Sequence, residues 1–142
     1  MRRDSTLAAY ILLTLLIFWA VADRYAPYRG QAAACRLGYV YDGDTVEMIC
    51  GLEKLTARLV GFDTPETKEP KCQAEAALGR RATERLRALA KSGPVEMFRL
   101  GHDKYGRELV TLTVAGRDVG EVLVAEGLAH AYHGGSRGGW CD

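Results

Sequence analysis

From Leu7 to Ala22 the chain runs LAAYILLTLLIFWAVA with no charge, and only beyond Asp23-Arg24 do polar and apolar positions begin to alternate. A 16-residue run is short for a bilayer-spanning helix, which needs about 20 apolar residues. It is also long for the apolar core of a signal peptide, usually about 7–15 residues. Arg2-Arg3 precede the run and Ala20-Val21-Ala22 fits a small-x-small cleavage pattern. Residues 1–22 are therefore expected to be a signal anchor or a signal peptide cleaved after Ala22, with 23–34 as linker. Positive residues stay on the cytoplasmic side. The rest of the chain is then expected at an inner membrane facing the periplasm or exterior, held by residues 7–22 if uncleaved, or secreted or periplasmic if cleaved. A buried core helix is the other reading of the run.

Beyond the linker, short β-branched and aromatic runs predict strands. Arg36–Tyr41 and Thr45–Ile49 flank an Asp-Gly, a hairpin signal. Leu55–Phe62 predicts a third strand, ended by Pro65, which forces Thr64 into an extended conformation. The period then changes. Leu78, Ala82, Leu86 and Leu89 recur at helical spacing and predict a helix over Gln73–Lys91, stopped by Ser92-Gly93-Pro94. Val95–Leu100 and Glu108–Val114 return to strand patterns. Asp118 and Glu121 then stand at N-cap and N3 positions before VLVAEGL, which Gly127 closes. The order β-β-β-α-β-β-α predicts an α+β, mainly β fold: a five-stranded OB-type barrel with two flanking helices over 35–133, preceded by the N-terminal apolar helix. An open α+β sheet is the alternative. Residues 134–142 form a Gly-rich tail.

Length and charge narrow the function. About 120 residues beyond the leader make one domain. Setting aside Arg2, Arg3 and Asp4, that part carries 17 basic and 17 acidic residues. Affinity for nucleic acid regardless of sequence depends on neutralising many phosphates, so any nucleic-acid chemistry here is expected at one local site. Arg80, Arg81, Arg85, Arg87 and Lys91 lie opposite the apolar stripe of the helix. They are expected to be a solvated face paired through Glu84, with a nucleic-acid track as the alternative. His102, His130 and His133 show no ligand spacing.

Cys35, Cys50, Cys72 and Cys141 form no C-x-x-C pair, which argues against zinc. In an exported chain an even cysteine count suggests disulfides. Cys35 and Cys50 flank the predicted turn almost symmetrically and are expected to pair, leaving Cys72 with Cys141 to pin the tail. Four free thiols are the alternative.

Three stretches carry the candidate chemistry: DGDT at 42–45, RLVGFDTPE at 58–66 and DKYGR at 103–107. Asp44 and Asp63 each end a predicted strand or its turn. Two carboxylates about 4 Å apart repel by roughly 4 kcal/mol at an effective dielectric near 20. Such a pair needs a proton or a cation, and oxygen-only ligands suit calcium, or less comfortably magnesium. Glu66 supplies a free carboxylate to activate water. Arg58 and Arg107 can bind phosphate oxygens. On an ideal strand Arg58 and Asp63 point to opposite faces, so a bulge near Gly61 is required for them to meet.

Read in order, VYDGDTVEM, ARLVGFDTPETKEP, DKYGRELV and LVAEGLA resemble the staphylococcal-type thermonuclease family over about Cys35–Tyr132. The resemblance implies a five-stranded OB barrel and calcium-dependent (Ca2+) cleavage of DNA and RNA phosphodiesters, leaving 3′-phosphate ends; single-stranded DNA or RNA is the expected substrate and a monomer the expected state. It matches Asp44, Asp63 and the Thr64 carbonyl to metal ligands, Glu66 to the general base, and Arg58 and Arg107 to phosphate-binding catalytic residues. Lys104 and Tyr105 match substrate contacts, and Tyr132 matches an aromatic near the nucleotide. The chain departs from the type enzyme in a shorter 68–79 segment, in its cysteines, and in a Gly-Gly-Trp140-Cys141-Asp142 ending where that enzyme continues into a third helix. A non-catalytic OB module binding nucleic acid or another anionic polymer at the cell envelope is the functional alternative.

Overall fold

Alternation is clearest in Glu108–Val114 (β6), where Glu108, Val110, Leu112 and Val114 are buried and the residues between them half-buried. Side chains two apart share a face, so this strand lays one apolar row into a core and forms the middle of the sheet. The computed structural model describes residues 10–19 and 35–141. Within them Cys35–Val40 (β1), Thr45–Cys50 (β2) and Glu53–Leu59 (β3) form an antiparallel meander, and Val95–His102 (β5) pairs antiparallel with β6. β3 and β6 run parallel and join the two halves into the order β1-β2-β3-β6-β5. The sheet curls so that β1 and β5 approach each other, giving the five-stranded OB-type half-barrel that the pattern predicts.

The predicted third strand is not continuous. Pairing with β6 ends at Leu59, and Gly61 takes a φ of 95° that L side chains rarely adopt. Gly61–Asp63 (β4) then leaves the barrel and pairs with His130–Tyr132 (β8) in a separate two-stranded sheet. A break at Gly61 thus does what a bulge was expected to do. Arg117–Asp118 (β7) adds a short strand against β6.

The helix Gln73–Ala90 (α2) buries Ala82, Leu86 and Leu89, while Leu78 is only partly covered. Val119–Ala125 (α3) starts where expected, with the Asp118 side chain accepting the Glu121 N–H at 3.0 Å. Gly127 closes it with a φ of 68°. Met48, Leu59, Leu86, Leu123 and Val110 are fully buried at the centre of the core. On α2, Arg85 pairs with Glu126 beyond α3 at 2.6 Å, and Arg87 donates to the Val40 carbonyl and lies over the Tyr39 ring. Among the described residues Glu84 pairs with none of these arginines, so the solvated face is organised by Glu126 instead.

Both disulfides form as expected, Cys35–Cys50 across the register-paired ends of β1 and β2, and Cys72–Cys141 from the N-cap of α2 to the tail. Trp140 stacks on His130 at 3.7 Å, laying the tail along β8. Cys72, Glu75 and Cys141 gather closely enough to suggest a metal cluster, but the sulfurs are bonded to each other.

Residues 10–19 form a helix (α1) whose large apolar side chains are all exposed, from Tyr10 at 69% to Trp19 at 71%. It is not the buried core helix of the alternative reading. Among the described residues no helix is long and apolar enough to cross a membrane. The ends of the apolar run, Arg2-Arg3, the Ala20–Ala22 cleavage pattern and the 23–34 linker lie outside the described residues.

Candidate active site

The β1–β2 turn builds the first half of the site. Asp42 accepts the Asp44 N–H at 3.1 Å, and the Tyr41 and Asp42 N–H groups both reach the Thr45 carbonyl. Gly43 is required here by space rather than by φ. A Cβ at this position would lie 2.8 Å from the Thr64 methyl and 2.9 Å from the Ala82 Cβ. The turn is thereby pressed between α2 and the Asp63-Thr64 step. Asp44 is bonded into the fold on both sides: its carbonyl accepts the Leu59 N–H at 2.8 Å, and its carboxylate accepts the Thr64 N–H at 3.1 Å and the Thr45 hydroxyl at 3.1 Å.

Arg58 reaches in from β3 and lies between the two aspartates. It pairs with Asp44 and with Asp63, the latter at 3.0 Å, and donates to the Phe62 carbonyl at 3.3 Å. All three charged side chains are at most 10% exposed. Burial pulls the Arg58 pKa down, but the Asp44 carboxylate and the hydrogen bonds to Asp63 and Asp44 outweigh it, and the guanidinium is held above its ordinary value. Asp42 is pushed above the usual carboxylate range, first by burial and then by the charge of Asp44.

Glu66 is exposed and follows the buried Thr64-Pro65 step. Its carboxylate accepts the N–H groups of Thr67 and Lys68, both at 2.9 Å, which fixes its direction. The backbone beneath it is held by Glu75 on the first turn of α2. That buried carboxylate accepts the Glu66 N–H at 3.4 Å and the Lys71 N–H at 2.6 Å. Gly79 completes the seat, since a Cβ there would come 2.8 Å from the Pro65 carbonyl.

Arg107 arrives on the β5–β6 connection. Asp103 accepts its Nε at 2.7 Å and its backbone N–H at 3.0 Å, together with the Tyr105 N–H at 2.9 Å. Burial raises the Asp103 pKa, but these bonds outweigh it and the net shift is downward. Lys104 and Arg107 both lie over the exposed Tyr105 ring, at 5.0 and 5.8 Å.

A cleft of about 270 Å³ brings Asp42, Asp44, Thr64, Glu66, Arg58 and Arg107 to one surface. A second groove of about 560 Å³ shares Arg58 and Arg107 with it and is walled by Gly61, Phe62, Lys104, Tyr105 and Tyr132. Asp63 does not line either cleft and enters through its bond to Arg58. Every residue singled out in the sequence for this chemistry lies in or against these two spaces. Three others were not assigned a role from sequence: Asp42, Glu75 and Arg137. Asp42 belongs to the DGD motif itself. Glu75 carries the signal of an acid in the first turn of a helix, and Arg137 carries none beyond its place in the tail.

The sites donate only oxygen: the Asp44 and Asp63 carboxylates, with Asp42 alongside. Asp44 and Asp63 are buried and Asp42 half-buried, and these three acids outnumber Arg58 and Arg137 beside them, a donor set of the kind a hard cation takes.

Residues 56–138 match the family described as "Staphylococcal nuclease homologue". Among curated proteins, "Endonuclease YncB" of Bacillus subtilis (strain 168) is 42% identical over 91 residues, covering 62% of this chain and 43% of the relative. "SPbeta prophage-derived endonuclease YokF" of the same organism is 40% identical over 91 residues, covering 62% of this chain and 30% of the relative. An "Uncharacterized endonuclease" of Escherichia coli O157:H7 is 32% identical over 127 residues, with 87% and 72% covered. The chain spans less than half the length of the two Bacillus subtilis relatives.

Proposed function

Because the chain belongs to the staphylococcal nuclease homologue family, we propose that its cleft hydrolyses phosphodiester bonds of single-stranded DNA and RNA, with calcium, leaving 3′-phosphate ends. The observation that carries this reading is one small cleft holding a free carboxylate, Glu66, opposite two guanidiniums, Arg58 and Arg107.

Glu66 takes a proton from a water on the solvent side of the cleft. Its two backbone N–H bonds keep one oxygen occupied and the carboxylate aimed. The resulting hydroxide attacks phosphorus in line, the P–O5′ bond breaks, and the 5′-oxygen leaves with a proton from solvent. Arg58 and Arg107 bind non-bridging oxygens and stabilise the charge that grows on phosphorus. Asp44, Asp63 and the Thr64 carbonyl would hold the calcium. When bound, the ion supplies fixed positive charge against the phosphoryl oxygens. Lys104, Tyr105 and Tyr132 would grip the neighbouring nucleoside and phosphate in the larger groove.

Export fits the same chain. Two disulfides within residues 35–141 suit an oxidising compartment. An N-terminal helix that is apolar all round and unpacked suits a membrane or a signal segment. We place the domain on the outer side of the inner membrane or beyond it, acting as a monomer.

The test is cleavage by the full-length, oxidised protein. Labelled single-stranded DNA should be cut with calcium, left intact with a chelator, and end in 3′-phosphate and 5′-hydroxyl. Binding without cleavage under those conditions would favour the non-catalytic envelope module instead.

A further inference from the structure

We infer that Arg137, delivered by the disulfide-pinned tail, is a third phosphate-binding guanidinium that grips the substrate next to the scissile bond. The inference rests on the phosphodiester reading of the cleft and names a contact that none of the three sequence motifs contains.

Four observations place Arg137 there. It lines both the small acidic cleft and the larger aromatic groove, so it stands on the ridge a polymer must cross to occupy the two together. Its Nε lies 3.3 Å from Asp63 Oδ1, the same oxygen that Arg58 already holds at 3.0 Å. Its side chain is 55% exposed, against 10% for Arg58 and 30% for Arg107. Its guanidinium carbon is 5.8 Å from the centre of the Tyr132 ring.

These positions separate the three arginines by duty. Arg58 is largely committed: both terminal nitrogens face carboxylates inside the protein, which leaves Nε and one further N–H for a phosphate oxygen. Arg107 gives its Nε to Asp103. Arg137 meets Asp63 with Nε as its nearest nitrogen, at 3.3 Å. Among the described residues its two terminal nitrogens have no hydrogen-bond partner, which leaves a planar fork with free N–H groups on a residue that lines both clefts. A guanidinium fork with free N–H groups beside an aromatic face suits a phosphate whose nucleoside stacks alongside.

The tail that carries Arg137 is built to hold that place. Gly134 and Gly135, with φ of 103° and 92°, turn the chain out of β8, and the Tyr132 hydroxyl donates to the Gly135 carbonyl at 3.0 Å. Trp140 stacks on His130, and Cys141 is bonded to Cys72. Arg137 is thus suspended between a fixed turn and a covalent anchor four residues on. The disulfide becomes part of the substrate grip.

The experiment measures binding and cleavage separately, on full-length oxidised protein. Binding of a fluorescent single-stranded DNA is followed by anisotropy in chelator across a salt series, and cleavage is followed with calcium. Arg137→Ala should weaken binding about tenfold, the order of one charge-assisted contact. It should also lower the log–log salt slope by about 0.7, the value for one phosphate on a single strand. In cleavage KM should rise with kcat within about twofold. Arg137→Lys should restore the salt slope and only part of the affinity. Cys72→Ser/Cys141→Ser should reproduce the loss, and adding Arg137→Ala to it should change nothing more. Unchanged affinity, slope and KM in Arg137→Ala, with wild-type cleavage intact, overturns the inference alone. Faster cleavage by Arg137→Ala overturns it too, since Arg137 would then be blocking Asp63. Wild-type binding that depends on Arg137 without any cleavage sinks the nuclease reading and leaves this contact standing. Neither binding nor cleavage by wild type sinks both.

Discussion

Replacing Arg58 by Gln tests the electrostatic centre of the site without reference to catalysis. Asp44 and Asp63 side chains are each 6% exposed, and Arg58 at 10% is the one buried cation between them. Glutamine keeps the length and some hydrogen bonding but removes the charge. It leaves Asp44 with backbone and hydroxyl donors only, and Asp63 with the half-exposed Arg137. Breaking a buried pair by removing one partner costs about 3–5 kcal/mol, because the remaining charge stays desolvated. A domain of this size has a urea slope of about 2 kcal/mol/M, so the midpoint should fall by about 1.5–2.5 M. The assay is equilibrium urea unfolding followed by far-UV circular dichroism, in chelator, with both disulfides oxidised in both proteins. Calcium should then raise the midpoint of Arg58→Gln by more than it raises wild type, because Arg58 no longer competes for the carboxylates. A ligand at a hundred times its Kd adds about 2.7 kcal/mol. A midpoint within about 0.5 M of wild type in chelator would refute the account of Arg58 as the counter-charge of a buried acid pair.

Glu66→Gln should lower kcat about 10²-fold or more, the usual contribution of a general base, with an unchanged urea midpoint because the side chain is exposed. A rate within a factor of three of wild type would remove Glu66 from the chemistry. Gly79→Ala should destabilise by about 1–3 kcal/mol and lower kcat, because its Cβ meets the Pro65 and Glu66 carbonyls at 2.8 and 3.2 Å. Greater stability, as helix propensity alone predicts, would show that the loop yields freely. Glu108 is held below its ordinary 4.5, first by the hydrogen bond from Arg99, against the opposing effect of burial. A depressed carboxylate contributes stability above its unfolded value and loses it as pH falls through the folded value. Unfolding midpoints measured from pH 6 down to pH 3 should therefore drop less steeply in Glu108→Gln than in wild type. Parallel curves would contradict the assignment.

What could be read from sequence was what is decided locally. The alternation of β6, the Ala82-Leu86-Leu89 stripe and the Asp118 cap depend on neighbours within a few residues, and they form where their pattern places them. The division of the third strand was hidden because its cause lies far away. β4 leaves the barrel to pair Asp63 with His130, 67 positions along. Leu78 fits the helical stripe by period, yet in the second turn of α2 it is only partly covered against the core. In the site, the acids and arginines of the three motifs were recognisable by type and spacing. Glu75 and Arg137 were not, since one acts through the fold of the 66–71 loop and the other through the Cys72–Cys141 bond.

The Cys35–Cys50 bond has a mechanical consequence. β1 lies at the end of the ladder order and has β2 as its one ladder partner among the described strands, the arrangement that unzips most easily under tension. Anything tugging on the chain ahead of Cys35 delivers its force at that residue, and the sulfur bridge passes it directly into the far end of β2. The force then passes from Cys35 through the sulfurs to Cys50, and the hydrogen bonds of the hairpin between them are bypassed. A peeling front never starts along the roughly 17 Å of strand that separates the bridge from the Asp42–Asp44 turn. The bridge acts as a rivet at the rim, keeping tension on the chain ahead of Cys35 out of the Asp42–Asp44 turn.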